Sequence, residues 1–289
     1  MKQTLFTGVC TALVTPFVNG QINNAMLEKL LARQLDAGIK AIVLAGTTGE
    51  APTLSDQEKL ELFRRAKTFV GNDCLIIAGT GSNSTAHAVD LSLAAEKVGA
   101  DALLIVSPYY NKATPDGLIA HYSAIAEAVS IPMILYNVPG RTGMDIPISV
   151  YHRLSRIPKI AGVKEASRDI VKVTGIKNAC LPGFSVWSGN DDMAVPTISL
   201  GGSGLISVLS NVCPQEIAAM VNAALDGDMD TATALQLELQ PLCDLLFCEV
   251  NPIPVKEAMK HIGFDCGECR LPLCRLSKEN QKRMNEFFS

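Results

Sequence analysis

Short apolar runs rich in β-branched residues alternate along this chain with longer segments in which apolar positions recur every three or four residues. The short runs predict strands at residues 9–14, 41–44, 74–78, 102–106, 133–136, 160–164, 185–188 and 204–207. Their starts fall roughly 20 to 33 residues apart, about the length of one strand-plus-helix unit. The longer segments predict helices. Met26, Leu27, Leu30, Leu31 and Leu35 share one face over 24–36, Ser55 with Glu58 forms a capping box, Ala88, Leu91, Ala95 and Val98 line one face over 84–98, and Pro115 opens a helix running to Val129. Eight apolar runs joined by helices imply an all-parallel sheet closed into a (β/α)8 TIM barrel. An open doubly wound sheet is the alternative, and the lack of G-x-G-x-x-G after the first strand argues only weakly against it. Beyond a last barrel helix at 214–225 the periodicity stays helical over 229–245, 255–262 and 277–288. The predicted division is therefore a barrel over 1–227 carrying the active site and a C-terminal all-helical extension over 228–289.

Composition fits one large α/β domain with an appendage. The 289 residues are 48% hydrophobic and 19% charged, enough apolar material for a large core and too much for a disordered chain. With 25 Lys and Arg against 29 Asp and Glu the formal charge is −4, without blocks of one sign, so nucleic acid and anionic membranes are excluded as expected partners. Nine cysteines, an odd number too small for a disulfide scaffold, suit a reducing cytoplasmic setting. Two uncharged stretches, 3–27 and 193–215, are broken by glycines and prolines and do not read as membrane spans. Lys2 before an apolar run imitates a signal peptide, but a small-residue cleavage pattern is missing and the run is needed as the first strand.

In such a barrel, functional residues lie where strands end at the C-terminal face. Lys164 closes the apolar run 160–163. Loss of hydration there favours the neutral amine, which condenses with a ketone to form a Schiff base. The ordinary alternative is a structural lysine paired with Glu165 or another carboxylate. Tyr136 closes the neighbouring strand and is either a proton-transfer group at the same mouth or a tyrosine tied to backbone. Thr47 and Thr48 sit between glycines that let backbone N–H groups approach a carboxylate. Arg141, in a Pro-Gly turn, is either a carboxylate clamp or a surface arginine paired with an aspartate.

Other strings carry less chemistry. The glycines at 201, 202 and 204 precede the eighth strand, whereas barrel phosphate sites follow a strand. Cys266, Cys269 and Cys274 have the spacing of half a zinc site without its second half, and read as three ordinary thiols in the helical tail. His87 reads as a surface or interface side chain.

Several of these strings together resemble the dihydrodipicolinate synthase (4-hydroxy-tetrahydrodipicolinate synthase) family. They are Gly46-Thr47-Thr48-Gly49-Glu50, Pro108-Tyr109-Tyr110-Asn111, Tyr136-Asn137-Val138-Pro139-Gly140-Arg141-Thr142, Gly162-Val163-Lys164-Glu165-Ala166, and Asn251-Pro252-Ile253-Pro254-Val255-Lys256. Further matches at residues 8–17, 200–207 and 270–273 extend the likeness over essentially the whole chain. The resemblance implies a lyase of class I aldolase type: Lys164 condenses with pyruvate, the enamine attacks aspartate 4-semialdehyde, and cyclisation gives the heterocycle of lysine and diaminopimelate biosynthesis. It implies no metal and no organic cofactor beyond the covalent imine. By position, Tyr136, Thr47 and Tyr110 resemble a proton relay, with Tyr110 supplied by a neighbouring subunit of a homotetramer built from two tight dimers. Thr48, Ile206 and Gly189 would lie against pyruvate, and Arg141 would hold the carboxylate of the semialdehyde.

The alternative within the superfamily is an aldolase related to N-acetylneuraminate lyase. Arg141 discriminates, because it suits a carboxylate-bearing aldehyde better than a polyhydroxylated one. A silent barrel kept as a scaffold would have lost Lys164, Tyr136 or the threonine pair, and all are present. Lysine-inhibited relatives use a pocket whose positions here are Ala51, Pro52, Asp56, Lys59, Asn83, His87 and Tyr109. Lys59 stands where sensitive enzymes typically carry a histidine and His87 where they carry a glutamate, so an effector's ammonium would miss its carboxylate. The expectation is weak or absent inhibition by lysine.

Overall fold

The computed structural model describes residues 4–289. In chain order the strands are β1 (Gly8–Ala12), β2 (Phe17–Val18), β3 (Gln21–Ile22), β4 (Ala41–Leu44), β5 (Leu75–Gly79), β6 (Ala102–Val106), β7 (Met133–Asn137), β8 (Ile160–Glu165), β9 (Ser185–Ser188) and β10 (Gly204–Ser207). All eight predicted runs become strands, with ends displaced by a residue or two. β1 pairs in parallel with both β10 and β4, which closes the order β1-β10-β9-β8-β7-β6-β5-β4 into a barrel and removes the open-sheet alternative.

The helices are α1 (Asn24–Asp36), α2 (Asp56–Val70), α3 (Thr85–Lys97), α4 (Pro115–Ala128), α5 (Pro139–Thr142), α6 (Ile148–Leu154), α7 (Ile170–Ala179), α8 (Ala194–Ser199), α9 (Pro214–Leu225), α10 (Met229–Leu246), α11 (Ile253–His261) and α12 (Lys278–Phe287). Local chemistry sets their starts. Ser55 and Glu58 form the reciprocal capping box, Ser84 caps α3, and Thr114 caps α4, whose first residue is Pro115. An element that periodicity missed is the β2–β3 hairpin. Asn19 and Gly20 both take positive φ (51° and 75°), the geometry of a two-residue turn that matches strand twist.

Strand alternation separates two cores. Cys10, Ala12, Ala41, Val43, Leu104, Ile134, Trp187 and Ile206 fill the barrel interior, while Val9, Ile42, Leu44, Leu103, Leu135 and Val163 pack outward under the helices. Beyond α9, α10 lies against α9 and α8 and leads the chain back to the C-terminal face of the barrel. There the backbone of Phe17 donates to Cys266 O at 2.9 Å, so the hairpin and the extension are joined beside the strand ends. The apolar start at 8–12 is a strand; Lys2 lies outside the described residues. Among the described residues no helix is long and apolar enough to cross a membrane.

Candidate active site

Register decides which face each strand end presents. On β7 and β8, Met133 pairs with Ile160 but Ile134 with Gly162, so β8 carries one extra residue between the two pairs. Beyond this offset Tyr136 stands opposite Lys164 and Asn137 opposite Glu165. Because successive side chains alternate, the first pair turns into the barrel and the second toward the helices. Gly162 permits the crowding that results, since a Cβ there would lie 2.1 Å from Ser185 O.

Lys164 is 5% exposed, and its Nζ lies 4.5 Å from the centre of the Tyr136 ring. Among the described residues no ion pair includes it, so a structural pairing with Glu165 is ruled out. Glu165 faces away and is fully occupied: it accepts from Asn137 Nδ2 (3.0 and 3.1 Å), Ser167 N (2.8 Å) and the Tyr151 hydroxyl (3.3 Å). Burial pushes the Glu165 carboxyl above the usual range despite those bonds. Gly189 leaves room for the lysine, because a Cβ on it would stand 3.1 Å from both Cγ and Cε of Lys164.

Tyr136 is buried, yet among the described residues its phenol makes no hydrogen bond, so it is not a tyrosine tied to backbone. With Thr47 and Arg141 it lines a cavity of about 590 Å³ at the C-terminal face. Arg141 is exposed and pairs with no aspartate; its Nη2 donates to Asn251 O at 3.1 Å. Thr48 is buried behind the cavity, and its Oγ1 accepts from Asn251 Nδ2 at 2.9 Å. Asn251 thus links the threonine loop to Arg141, a role that 203 residues of separation from Thr48 hide from any local pattern. Its only trace in the sequence is its place in the Asn251-to-Lys256 string.

Asp191, just beyond β9, is a second residue the sequence left without a role. Its carboxylate accepts from Ser207 Oγ (2.5 Å), Val208 N (3.0 Å) and Leu209 N (3.3 Å), which fixes the end of β10. Burial raises its pKa, against those bonds and the charge of Lys164. Ile206, one residue earlier, is fully buried among the interior side chains.

The same cavity continues to Ala51, Pro52, Asp56, Lys59, Ser82, His87 and Tyr109. His87 Nε2 lies 2.8 Å from Asp56 Oδ2 and Lys59 Nζ 3.5 Å from Asp56 Oδ1. Partial burial works against ionisation of Asp56, but the hydrogen bond and charge of His87 and the charge of Lys59 hold its carboxyl below the usual range. Asn83 does not line the cavity; its Nδ2 donates to Tyr109 O at 3.2 Å. Tyr110 is 92% exposed, with a left-handed backbone (φ 69°), and stays outside the cavity of its own chain.

Cys266, Cys269 and Cys274 are free thiols, and among the described residues no group of three or more His, Cys, Asp or Glu side chains is placed to hold a metal ion. Cys266 is buried, Cys269 half-buried and Cys274 exposed. Burial pushes the first two thiols up to about 12.

The model of the Dihydrodipicolinate synthetase family matches residues 5–289. The 4-hydroxy-tetrahydrodipicolinate synthase of Acetivibrio thermocellus is 45% identical over 280 residues, 97% of this chain and 95% of that protein. The crystal structure of dihydrodipicolinate synthase from Aquifex aeolicus superposes with a TM-score of 0.96 at 40% identity, covering 98% of this chain and 97% of that one. A dihydrodipicolinate synthase from Acinetobacter baumannii, crystallised in complex with pyruvate, gives 0.95 at 41% identity and 97% coverage of both chains. Identity at this level over nearly the full length, on the same closed barrel, places the chain in the dihydrodipicolinate synthetase family.

Proposed function

We propose that the protein is a 4-hydroxy-tetrahydrodipicolinate synthase that joins pyruvate to L-aspartate 4-semialdehyde through a Schiff base on Lys164. The observation that carries this is the buried Lys164 with no carboxylate partner, facing a Tyr136 whose phenol is unengaged. Lys164 Nζ attacks C2 of pyruvate, and loss of water from the carbinolamine leaves the imine. A proton leaves the methyl carbon to give the enamine, which forms the new C–C bond with the aldehyde carbon. The substrate's own amine then attacks the imine carbon and displaces Lys164, so one water is released per turnover. No metal or organic cofactor enters this sequence.

Tyr136 and Thr47 serve as the proton carriers along the cavity wall, and Tyr110 completes the relay in a neighbouring subunit. That assignment accounts for a tyrosine 92% exposed on its own chain and supports a homotetramer of two tight dimers. Thr48, Ile206 and Gly189 surround pyruvate, and Arg141 faces the semialdehyde carboxylate. Residues 1–227 carry the chemistry and residues 228–289 brace it, in a cytoplasmic biosynthetic enzyme acting on two small anions.

Borohydride reduction in the presence of pyruvate, followed by peptide mass spectrometry, tests the reading. A pyruvate adduct on Lys164 is expected; an adduct elsewhere, or none, overturns it. Arg141→Ala is expected to raise KM for aspartate 4-semialdehyde while the pyruvate adduct still forms, and an unchanged KM would shift the second substrate to another aldehyde.

A further inference from the structure

The loop that carries Thr47 and Thr48 ends on Glu50, which has φ 57° although it is not glycine. A left-handed residue of this kind persists only where its surroundings hold it. Here the holding group comes from the C-terminal extension. The Glu50 side chain is 0% exposed, and Lys256 Nζ lies 2.6 Å from its Oε1, an ion pair without hydrogen-bond alignment. Its Oε2 accepts from Arg270 N at 2.8 Å. Lys256, 4% exposed, sits 4.3 Å above the Phe17 ring, which Arg270 also covers at 4.4 Å. Lys256 belongs to α11, and Asn251, just before that helix, donates to Thr48. One short segment therefore grips the loop at Thr48 and at Glu50.

We propose that Glu50 and Lys256 are positioning residues, whose buried ion pair uses α11 to hold the Thr47–Thr48 loop in its pyruvate-binding geometry. The proposal rests on the function given above. Two buried charges are costly to desolvate, and well-packed apolar residues of similar size commonly replace such a pair without loss of stability. What the pair supplies that an apolar contact does not is a fixed distance between one loop and one helix.

Pyruvate trapping and steady-state kinetics on the full chain test this with Glu50→Gln, Lys256→Met, the double variant and Lys256→Arg. Loosening the loop by a fraction of an ångström is expected to raise the pyruvate KM about tenfold in the neutralising variants. The fraction of Lys164 labelled at saturating pyruvate is expected to match the unmodified protein. The double variant is expected to be no worse than the weaker single, because the two residues act as one unit, and Lys256→Arg is expected to keep most of the wild-type KM. A merely structural pair gives the opposite pattern: a lower labelled fraction and lower melting temperature with KM unchanged, and that pattern overturns the proposal. Should a single variant fail to fold, the double variant buries no lone charge, and an unchanged KM there is equally decisive. Absence of labelling in the unmodified protein would instead refute the Schiff-base function, so the two failures are distinguishable.

Discussion

Gly189→Ala adds one heavy atom, and its consequence is set by the gaps around that position. The added methyl would stand 2.7 Å from Ala166 Cβ and 3.1 Å from Lys164 Cγ and Cε. Apolar carbons rest at about 3.5–4.0 Å, so the site lacks roughly 0.8 Å on one side and 0.4 Å on the other. The backbone on both sides is fixed, since Gly189 N donates to Glu165 O at 2.7 Å and Ala166 N to Asn137 O at 2.9 Å. The Ala166 contact is relieved only by a strained shift of that backbone, and the lysine shaft, the flexible neighbour, is pushed aside as well. Its displacement shifts Nζ off the Tyr136 ring, and misplacing a reacting group by about 1 Å costs on the order of 100-fold in rate. Crowding alone costs about 1–3 kcal/mol of stability, which a protein of this size tolerates while remaining folded. The assay is the rate of borohydride-trapped adduct at subsaturating pyruvate, with a melting curve as the control for folding. A folded Gly189→Ala protein that forms the Lys164 adduct at the wild-type rate would refute the assignment of Gly189 as the space for the lysine.

Tyr136→Phe keeps the ring beside Lys164 Nζ and removes only the phenol; kcat is expected to fall by about 10²–10⁴, while prolonged trapping still labels Lys164. Millimolar lysine is expected to leave the steady-state rate unchanged, because Asp56 is already engaged by His87 and Lys59; inhibition that saturates with lysine contradicts this. The hydrogen bond from Arg270 holds the Glu58 carboxyl down at about 2. A depressed carboxyl stabilises the fold above its unfolded pKa near 4.5 and loses that contribution as pH falls through its folded value. Unfolding free energies of the wild type and Arg270→Met from urea titrations are therefore expected to differ by a pH-dependent part of about 1 kcal/mol above that pKa, screened as befits a partly exposed pair, and that part is expected to vanish toward pH 2.

The barrel was readable in the sequence because both faces of each strand are apolar, so runs such as Ala41–Leu44 and Ala102–Val106 stand out from their helices. The β2–β3 hairpin was not, since two-residue strands hold too few positions for any period to appear. Strand-end residues such as Lys164 and Tyr136 could be named from their place after apolar runs. Their partners could not: Arg141 meets a carbonyl 110 residues away, and Thr48 meets an amide 203 residues away. Gly189 could be named only through the resemblance, as a residue near pyruvate, and what it leaves room for depends on a neighbouring strand. Tyr110 is the reverse case, a residue whose proposed role rests on the resemblance and which, among the described residues, has no side-chain partner to display it.

Lys164 and Glu165 are adjacent ionisable residues on one strand, and sequence alone does not say which of them enters the barrel. A slip of one residue in the β7–β8 register would exchange their faces, burying a carboxylate beside Tyr136 and turning the amine toward the helices. The offset after Met133 fixes the phase, and the bonds made by Glu165 hold it there. On the helix side Asn137, Tyr151 and the Ser167 backbone supply four donor contacts to its carboxylate. Inside the barrel the neighbours are Ile134, Trp187 and Ile206, which supply no comparable set of donors at that level. An exchanged register would therefore leave a buried carboxylate short of partners and deprive three donor groups of their acceptor, of which only Asn137 Nδ2 keeps another in Asp145, and each unmet group costs free energy. The polar cluster behind the strand thus does for the active site what its own apolar lining cannot: it makes the orientation with Lys164 inside the one the fold prefers.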